Sequence, residues 1–271
     1  MKGRETPTRA EIRGHVFETY VSLRWGLAIL AFLFPIGLWL IGRAHYGLPM
    51  QPSLSDYFFA ADATMCATFP MRSFFVGGLC AIAVGLYLYK GFSKLENYLL
   101  NAAAICGALV AIVPMRLEVG GKRDCSSLEL VARDQADTFP LHYIAAVGMF
   151  LLLAVVAWRC AEQTLDHLPA DQRSRDLWFR NSYKTLALLM VAFPLIGIAV
   201  NFLLQADNRV LFVEWAGIWV FAAYWALKSF EMSLSEADFR ALVVVDTAAE
   251  MSGIQEPGLH ARQLSKFEDI K

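Results

Sequence analysis

Six apolar blocks, each 17 to 22 residues long, divide this chain of 271 residues. A helix needs about 20 apolar residues to cross the ~30 Å hydrocarbon core of a bilayer. A backbone within lipid must also satisfy its own hydrogen bonds, so each block predicts one membrane-spanning helix. The blocks cover residues 24–42, 73–89, 96–114, 142–160, 183–204 and 210–228. The sequence therefore predicts an all-α fold, a polytopic bundle of six transmembrane helices.

The overall composition agrees with a membrane protein and excludes several soluble classes. Hydrophobic residues make up 57% of the chain and charged residues only 18%, against about a quarter in soluble domains. The net charge of −1 provides no basic excess, so we expect no nucleic-acid partner. The sequence also lacks a P-loop, a G-x-S-x-G motif and an H-E-x-x-H motif. Any chemistry is therefore expected at the membrane boundary.

The distribution of basic residues predicts the orientation in the membrane. Seventeen of the 24 Lys and Arg fall on the side that holds both termini, which places those termini in the cytoplasm. We expect a cytoplasmic or interfacial segment over residues 1–23, the transmembrane domain over 24–228, and a partly disordered cytoplasmic tail over 229–271. The predicted location is the plasma membrane, which is the inner membrane if the protein is bacterial.

Ionisable residues next to the apolar blocks gather at the outer boundary, and none lies in the middle of a span. Arg72, Arg116, His142 and Glu214 come from four different predicted helices at the same depth. A six-helix bundle would bring them to one outward-facing pocket. Glu214 lies inside apolar sequence, so we expect it to be protonated or paired with Arg72, Arg116 or His142. The alternatives are arginines that reach lipid headgroups, an interfacial histidine and a structural salt bridge.

The first loop is too apolar for a solvated loop and too short and polar to cross the membrane. Its run SLSDYFFAADATMCATF lies between prolines, which favours a lid or re-entrant segment on the outer mouth of the bundle. The alternative is an interfacial loop that shields helix ends. Cys66 in this loop and Cys125 in the third loop are the two cysteines on the oxidising side, so a disulfide between them is one candidate pairing.

Several stretches, in the same order, resemble a group of bacterial six-span membrane proteins of unknown function. The stretches are PSLSDYFFA, MRSFFVGGLCAI, YKGFSKLENYLLN, FPLHYIAA, and FVEWAGIWVF with Lys228 shortly after it. The likeness covers roughly residues 20–230 and includes Ser55, Arg72, His142 and Glu214. It implies a fold and no activity. The chain departs from the pattern by a longer insert, AADATMCATFP, before Arg72.

Two fainter likenesses concern lipid chemistry. The P-S-x-S phrase is similar to Frag/DRAM-type six-span proteins, some of which take part in lipid-anchor remodelling. The ceramidase-like intramembrane hydrolases hold a metal with a Ser, an Asp and three His. This chain offers Ser55, Asp56 and His142 but no H-x-x-x-H pair, so Glu214 would have to replace one ligand.

Three functions follow as hypotheses. The first is a bundle that binds a lipid or small anionic or amphiphilic ligand, with Arg72 and Arg116 on the headgroup, His142 and Glu214 orienting it, and Tyr57 covering it. The second is an intramembrane lipid hydrolase or acyl transferase, with His142 or Glu214 as base and Ser55 or a metal-bound water as nucleophile. The third is a structural or assembly subunit with a buried ion-pair network.

These hypotheses also define the expected cofactors and partners. No cofactor is predicted, and zinc enters only with the hydrolase, where Asp56 would join the weak catalytic candidates. The expected partners are membrane lipids, and the sequence leaves open a second copy of the chain or another membrane protein.

Overall fold

All regular secondary structure in the described residues is helical. The computed structural model describes residues 8–60, 69–113, 139–204 and 209–235. The α-helices in these ranges are α1 Arg9–Tyr46, α2 Arg72–Leu88, α3 Lys94–Ile112, α4 Phe139–Val155, α5 Asp176–Leu204 and α6 Arg209–Ser235. Helix α4 continues through a π-helical turn, Val156–Cys160, into a 3-10 helix, Ala161–His167. Two further 3-10 helices cover Ser55–Phe58 and Arg173–Arg175. Each predicted apolar block overlaps one α-helix, the fourth including the π turn, and α1, α5 and α6 extend well beyond their blocks.

Four helical segments are long and apolar enough to cross a membrane. They are Gly14–Tyr46, Lys94–Ile112, Leu141–Asp166 and Val210–Ser235, and α2 is a shorter apolar helix. Large apolar side chains also face outward from the bundle, among them Val84, Ile105 and Ile144, each more than half exposed. An apolar exterior of this kind suits contact with lipid tails. The chain is a multi-pass membrane protein of the all-α class.

Helix α1 is longer than the first predicted span and begins before it. Thr8 caps it, because its Oγ1 accepts a hydrogen bond from the Glu11 backbone N–H and the Glu11 carboxylate accepts one from the Thr8 N–H. The hydrogen bonds that the Glu11 carboxylate accepts from the Thr8 N–H and the Thr8 hydroxyl lower the pKa of Glu11. The helix ends at Gly47, whose φ of 65° is the left-handed conformation that glycine adopts readily. Residues 9–23, expected as a separate segment, are thus continuous with the first span.

The turn at Gly47 sends the chain back across the helix ends. The Leu48 N–H donates to the Gly42 carbonyl, 3.0 Å away, and the Leu48 side chain is buried. We call residues 47–60 the cap segment, and the end of the bundle that it covers the cap end. The N-terminal ends of α2, α4 and α6 lie there. We call the opposite end, where α2, α4 and α6 finish, the tail end.

Glycines let α1 and α2 approach each other closely. A Cβ at Gly78 would lie 2.5 Å from the Phe34 ring, and one at Gly85 would lie 2.6 Å from the Leu27 side chain. Small residues at such positions favour helix association in membranes through close van der Waals packing. Helix α6 packs against both α1 and α5.

Candidate functional site

The cap segment is fastened to the helix ends by both backbone and side-chain hydrogen bonds. The Leu211 N–H, at the start of α6, donates to the Pro52 carbonyl at 2.8 Å. Ser53 donates from its N–H and its Oγ to Asp56 Oδ2, at 2.9 and 2.8 Å. The Asp56 N–H donates back to Ser53 Oγ at 3.1 Å, which is the reciprocal pattern of a helix cap. The described part of the first loop therefore folds back onto the bundle, as its apolar content predicts.

Ser55 and His142 meet at the cap end. His142 Nε2 lies 3.1 Å from Ser55 Oγ, and His142 Nδ1 lies 2.6 Å from the Val113 carbonyl oxygen at the end of α3. A carbonyl only accepts, so Nδ1 carries a proton and donates it to Val113. The neutral imidazole then presents the Nε2 lone pair to the Ser55 hydroxyl. His142 is buried, with 2% of its surface exposed, whereas Ser55 is partly exposed.

Glu214 binds the same segment from α6. Its Oε2 accepts a hydrogen bond from the Leu54 backbone N–H at 2.6 Å. This contact joins two residues 160 positions apart and fixes the backbone next to Ser55. Leu54 is buried, so its N–H depends on a protein acceptor. Among the described residues, Glu214 is bound to a backbone amide rather than to Arg72 or His142.

Arg72 lies in an aromatic cage away from Glu214. Its guanidinium carbon is 4.4 Å from the centroids of the Phe58 and Phe69 rings and 5.3 Å from that of Phe59. Its Nε also donates to the Phe58 carbonyl at 3.4 Å. These are cation–π contacts, which hold the first turn of α2 against the cap segment. The sequence predicts that Arg72 lies at this end but does not reveal that, among the described residues, it contacts aromatic rings.

A cavity of about 940 Å³ extends from the cap segment into the bundle. Its polar lining is concentrated at the cap end, where Ser53, Ser55, Asp56 and Glu214 contribute. Further in, all six α-helices contribute mainly apolar side chains, and the wall reaches as far as Leu86 and Phe221. Gly107, Gly197 and Gly217 line it as well, and their lack of a side chain leaves room between the helices.

The structure thus brings some predicted residues together and separates others. Ser55, Asp56, His142 and Glu214 come from three parts of the chain to one end of the cavity. Tyr57 is only 1% exposed and lies outside the cavity wall, whereas Phe59 lines that wall. Burial raises the pKa of the Tyr57 phenol, and a hydrogen bond from the Gln51 backbone partly offsets this rise. Arg116, Cys66 and Cys125 lie outside the described residues.

A second polar cluster, at the tail end, was not found from the sequence. Lys228 Nζ donates to Glu231 Oε2 at 2.9 Å, to Thr164 Oγ1 at 2.6 Å and to the Ala161 carbonyl at 3.0 Å. Tyr183 also donates to Glu231 Oε2, at 3.2 Å. All four side chains are at most 1% exposed. The available signal was the K-x-x-E spacing at 228–231, which puts both charges on one helix face.

Two more charged side chains are buried near the tail end. Glu96, in the first turn of α3, accepts from the Phe92 N–H at 2.8 Å and is 2% exposed, and Arg24 of α1 is fully buried. The buried side chains near the tail end thus include two basic residues, Arg24 and Lys228, and two acidic residues, Glu96 and Glu231. Buried charges need partners of opposite sign, and equal numbers of the two kinds allow this.

Within the described ranges, no group of three or more His, Cys, Asp or Glu side chains is arranged to hold a metal ion. The chain matches no protein-family model, and neither the curated proteins nor the solved structures include a significant match to it.

Proposed function

We propose that this protein binds an amphiphile, with the apolar chain in the bundle cavity and the polar head at the cap end. The observation that carries the proposal is the asymmetric lining of the cavity. Its volume of about 940 Å³ falls in the range of known small-molecule sites, ~300–1,000 Å³. An apolar interior with a few convergent polar groups at one end matches the division of a lipid into chain and head.

The head would meet Ser55, Asp56 and Glu214 rather than Arg72. The first three line the cavity, whereas the Arg72 guanidinium lies among Phe58, Phe59 and Phe69. Hydroxyl and carboxyl groups suit heads that contain hydroxyl, ester or amine groups. Membrane lipids are available as ligands, because the exterior of the bundle is apolar and suits contact with them.

The proposed topology has six spans with both termini in the cytoplasm. Six α-helices enclose the cavity, and α5, at 29 residues, is long enough to cross the hydrocarbon core. The excess of Lys and Arg on the side of the termini supports the orientation. In that arrangement the cap end faces outward. The proposed site is then reached from the outer leaflet or the outer aqueous phase.

Native mass spectrometry of the detergent-purified protein tests binding, with Gly217→Leu as the variant that fills the cavity. A Cβ at Gly217 lies 3.6 Å from Phe150 and Phe193, so the first carbon fits and the rest of the leucine enters the cavity. Gly77→Leu is the matched control, because a Cβ there meets nothing within 4 Å. We expect a lipid adduct on the wild type and on Gly77→Leu, and at least a tenfold weaker adduct on Gly217→Leu. Equal adducts on all three proteins, or none on the wild type, would contradict the proposal.

A further inference from the structure

We infer that Ser55 is an activated nucleophile, with His142 as its base, and that the pair transfers the acyl group of an ester lipid held in the cavity. This inference rests on the proposed function and goes beyond it, because binding alone requires no reactive pair. Its basis is the chain of atoms from the Val113 carbonyl through His142 to the Ser55 hydroxyl.

The orientation of His142 is suited to a general base. Its Nδ1–H is donated to the Val113 carbonyl oxygen at 2.6 Å, which fixes both the tautomer and the plane of the ring. Its Nε2 is therefore the acceptor for the Ser55 hydroxyl at 3.1 Å, within the 2.6–3.2 Å typical of a nucleophile and its base. A backbone carbonyl takes the place of the third, orienting group of a catalytic triad.

The location of Ser55 is suited to a nucleophile. Ser55 lines the cavity where the polar end meets the apolar interior, whereas His142 is buried behind it and is not part of the wall. In an ester lipid the carbonyl carbon lies at the junction of head and chain. An acyl chain that fills the apolar part of the cavity would therefore bring its ester carbonyl to the Ser55 hydroxyl.

Hydrogen bonds of the residues before and after Ser55 in the cap segment hold Ser55 in place. Ser53 and Asp56 form the reciprocal cap at the start of the 3-10 helix, and the Leu54 N–H is bound by Glu214. The Ser55 hydroxyl between them lies 3.1 Å from His142 Nε2. Glu214 is thus a positioning residue in this scheme, and Ser55 and His142 are the catalytic residues.

The proposed reaction has two steps. Ser55 Oγ attacks the ester carbonyl carbon while its proton moves to His142 Nε2, and the tetrahedral intermediate expels the alcohol of the head, which takes that proton. The product is an O-acyl serine and a free alcohol. In the second step His142 Nε2 removes a proton from water, or from an acceptor hydroxyl, as its oxygen attacks the acyl carbonyl, and the same proton then passes to Ser55 Oγ as the acyl–serine bond breaks. Water yields a fatty acid, and a hydroxyl acceptor yields a new ester, without any redox change.

A hexadecyl fluorophosphonate tests the pair, because such a probe phosphonylates activated serines with loss of fluoride. We expect intact-mass detection of one adduct on the wild type, mapped to Ser55, and none there on Ser55→Ala. His142→Gln should slow labelling by 10²-fold or more, which is the contribution of a general base. Labelling of Ser73→Ala should be unchanged, because Ser73 is exposed at the same end and lies outside the cavity wall.

Three outcomes separate this inference from the proposed function and from a purely structural hydrogen bond. A wild type that carries lipid in native mass spectra but takes no probe would overturn the inference and leave lipid binding intact. A wild type that shows neither would count against both. A His142→Gln variant that melts at a lower temperature yet labels at the wild-type rate would show that the Ser55–His142 contact only holds α4 against the cap segment.

Discussion

The two ends of the bundle both bury polar groups, but they do so in different ways. At the tail end, Lys228 and Glu231 are at most 1% exposed, and Lys228 has three acceptors within 3.0 Å. Neither lines the cavity. At the cap end, Ser55 and Glu214 each have a hydrogen-bonding partner and also line the cavity. Access to a cavity, rather than burial of charge, therefore distinguishes the candidate site from a structural network.

The largest predicted effect is at the tail end. Replacing Glu231 with leucine would leave the Lys228 ammonium buried without its carboxylate, which costs about 3–5 kcal/mol of unfolding free energy. The double variant Lys228→Met, Glu231→Leu removes both charges and should recover most of that loss. Thermal or denaturant unfolding in detergent measures both. The lipid adduct of the double variant should match that of the wild type.

The distinction between a structural tail end and a ligand-binding cap end would fail if the double variant were as unstable as Glu231→Leu and had also lost its lipid adduct. That result would mean that the tail end acts on the ligand and not only on the fold.

The next largest effect is at Glu214. Glu214→Leu removes the acceptor of the buried Leu54 N–H and should cost about 1–3 kcal/mol. Glu214→Gln keeps an acceptor oxygen of nearly the same shape, so it should unfold close to the wild type. Hydrogen exchange at the Leu54 amide is the local readout, and it should speed up in Glu214→Leu alone. Equal exchange in the two variants would show that Glu214 does not hold the cap segment.

A smaller effect is predicted for Arg72→Ala. Loss of the contacts with Phe58, Phe59 and Phe69 should cost about 0.5–2 kcal/mol. The lipid adduct should persist, because the guanidinium is not part of the cavity wall. The sequence alone predicts the opposite, namely a headgroup held by Arg72. Native mass spectra of Arg72→Ala therefore decide whether the head is bound by Arg72 or by Ser55, Asp56 and Glu214. Loss of the adduct in a folded variant would show that Arg72 binds the head.

The length of the continuous apolar blocks predicted the helices well, because a segment that crosses lipid has few alternatives to a helix. Matched depth likewise predicted that Arg72, His142 and Glu214 lie at one end of the bundle, together with Arg116, which lies outside the described residues. Matched depth did not predict which groups these side chains contact. Which face of α2 carries Arg72, and how the turn at Gly47 directs the cap segment, depend on side-chain packing between distant helices. Lys228 and Glu231 were missed because a charged residue at a span end is usually exposed to headgroups.

The smallest predicted effect concerns Tyr57 and depends on pH. Burial raises the pKa of its phenol above the ordinary value of 10.0, so the folded protein keeps this proton when the unfolded chain has lost it. The resulting stabilisation is complete below pH 10 and is lost as the pH rises through the raised pKa.

In Tyr57→Phe the unfolding free energy should therefore fall less steeply above pH 10, by at most one proton in the slope. Below pH 9 the variant should lose only about 0.5–1.5 kcal/mol, through the missing hydrogen bond to the Gln51 backbone. Unfolding curves measured from pH 7 to pH 11 provide both quantities. A slope identical to that of the wild type would show that burial does not raise the pKa of this phenol in the folded protein.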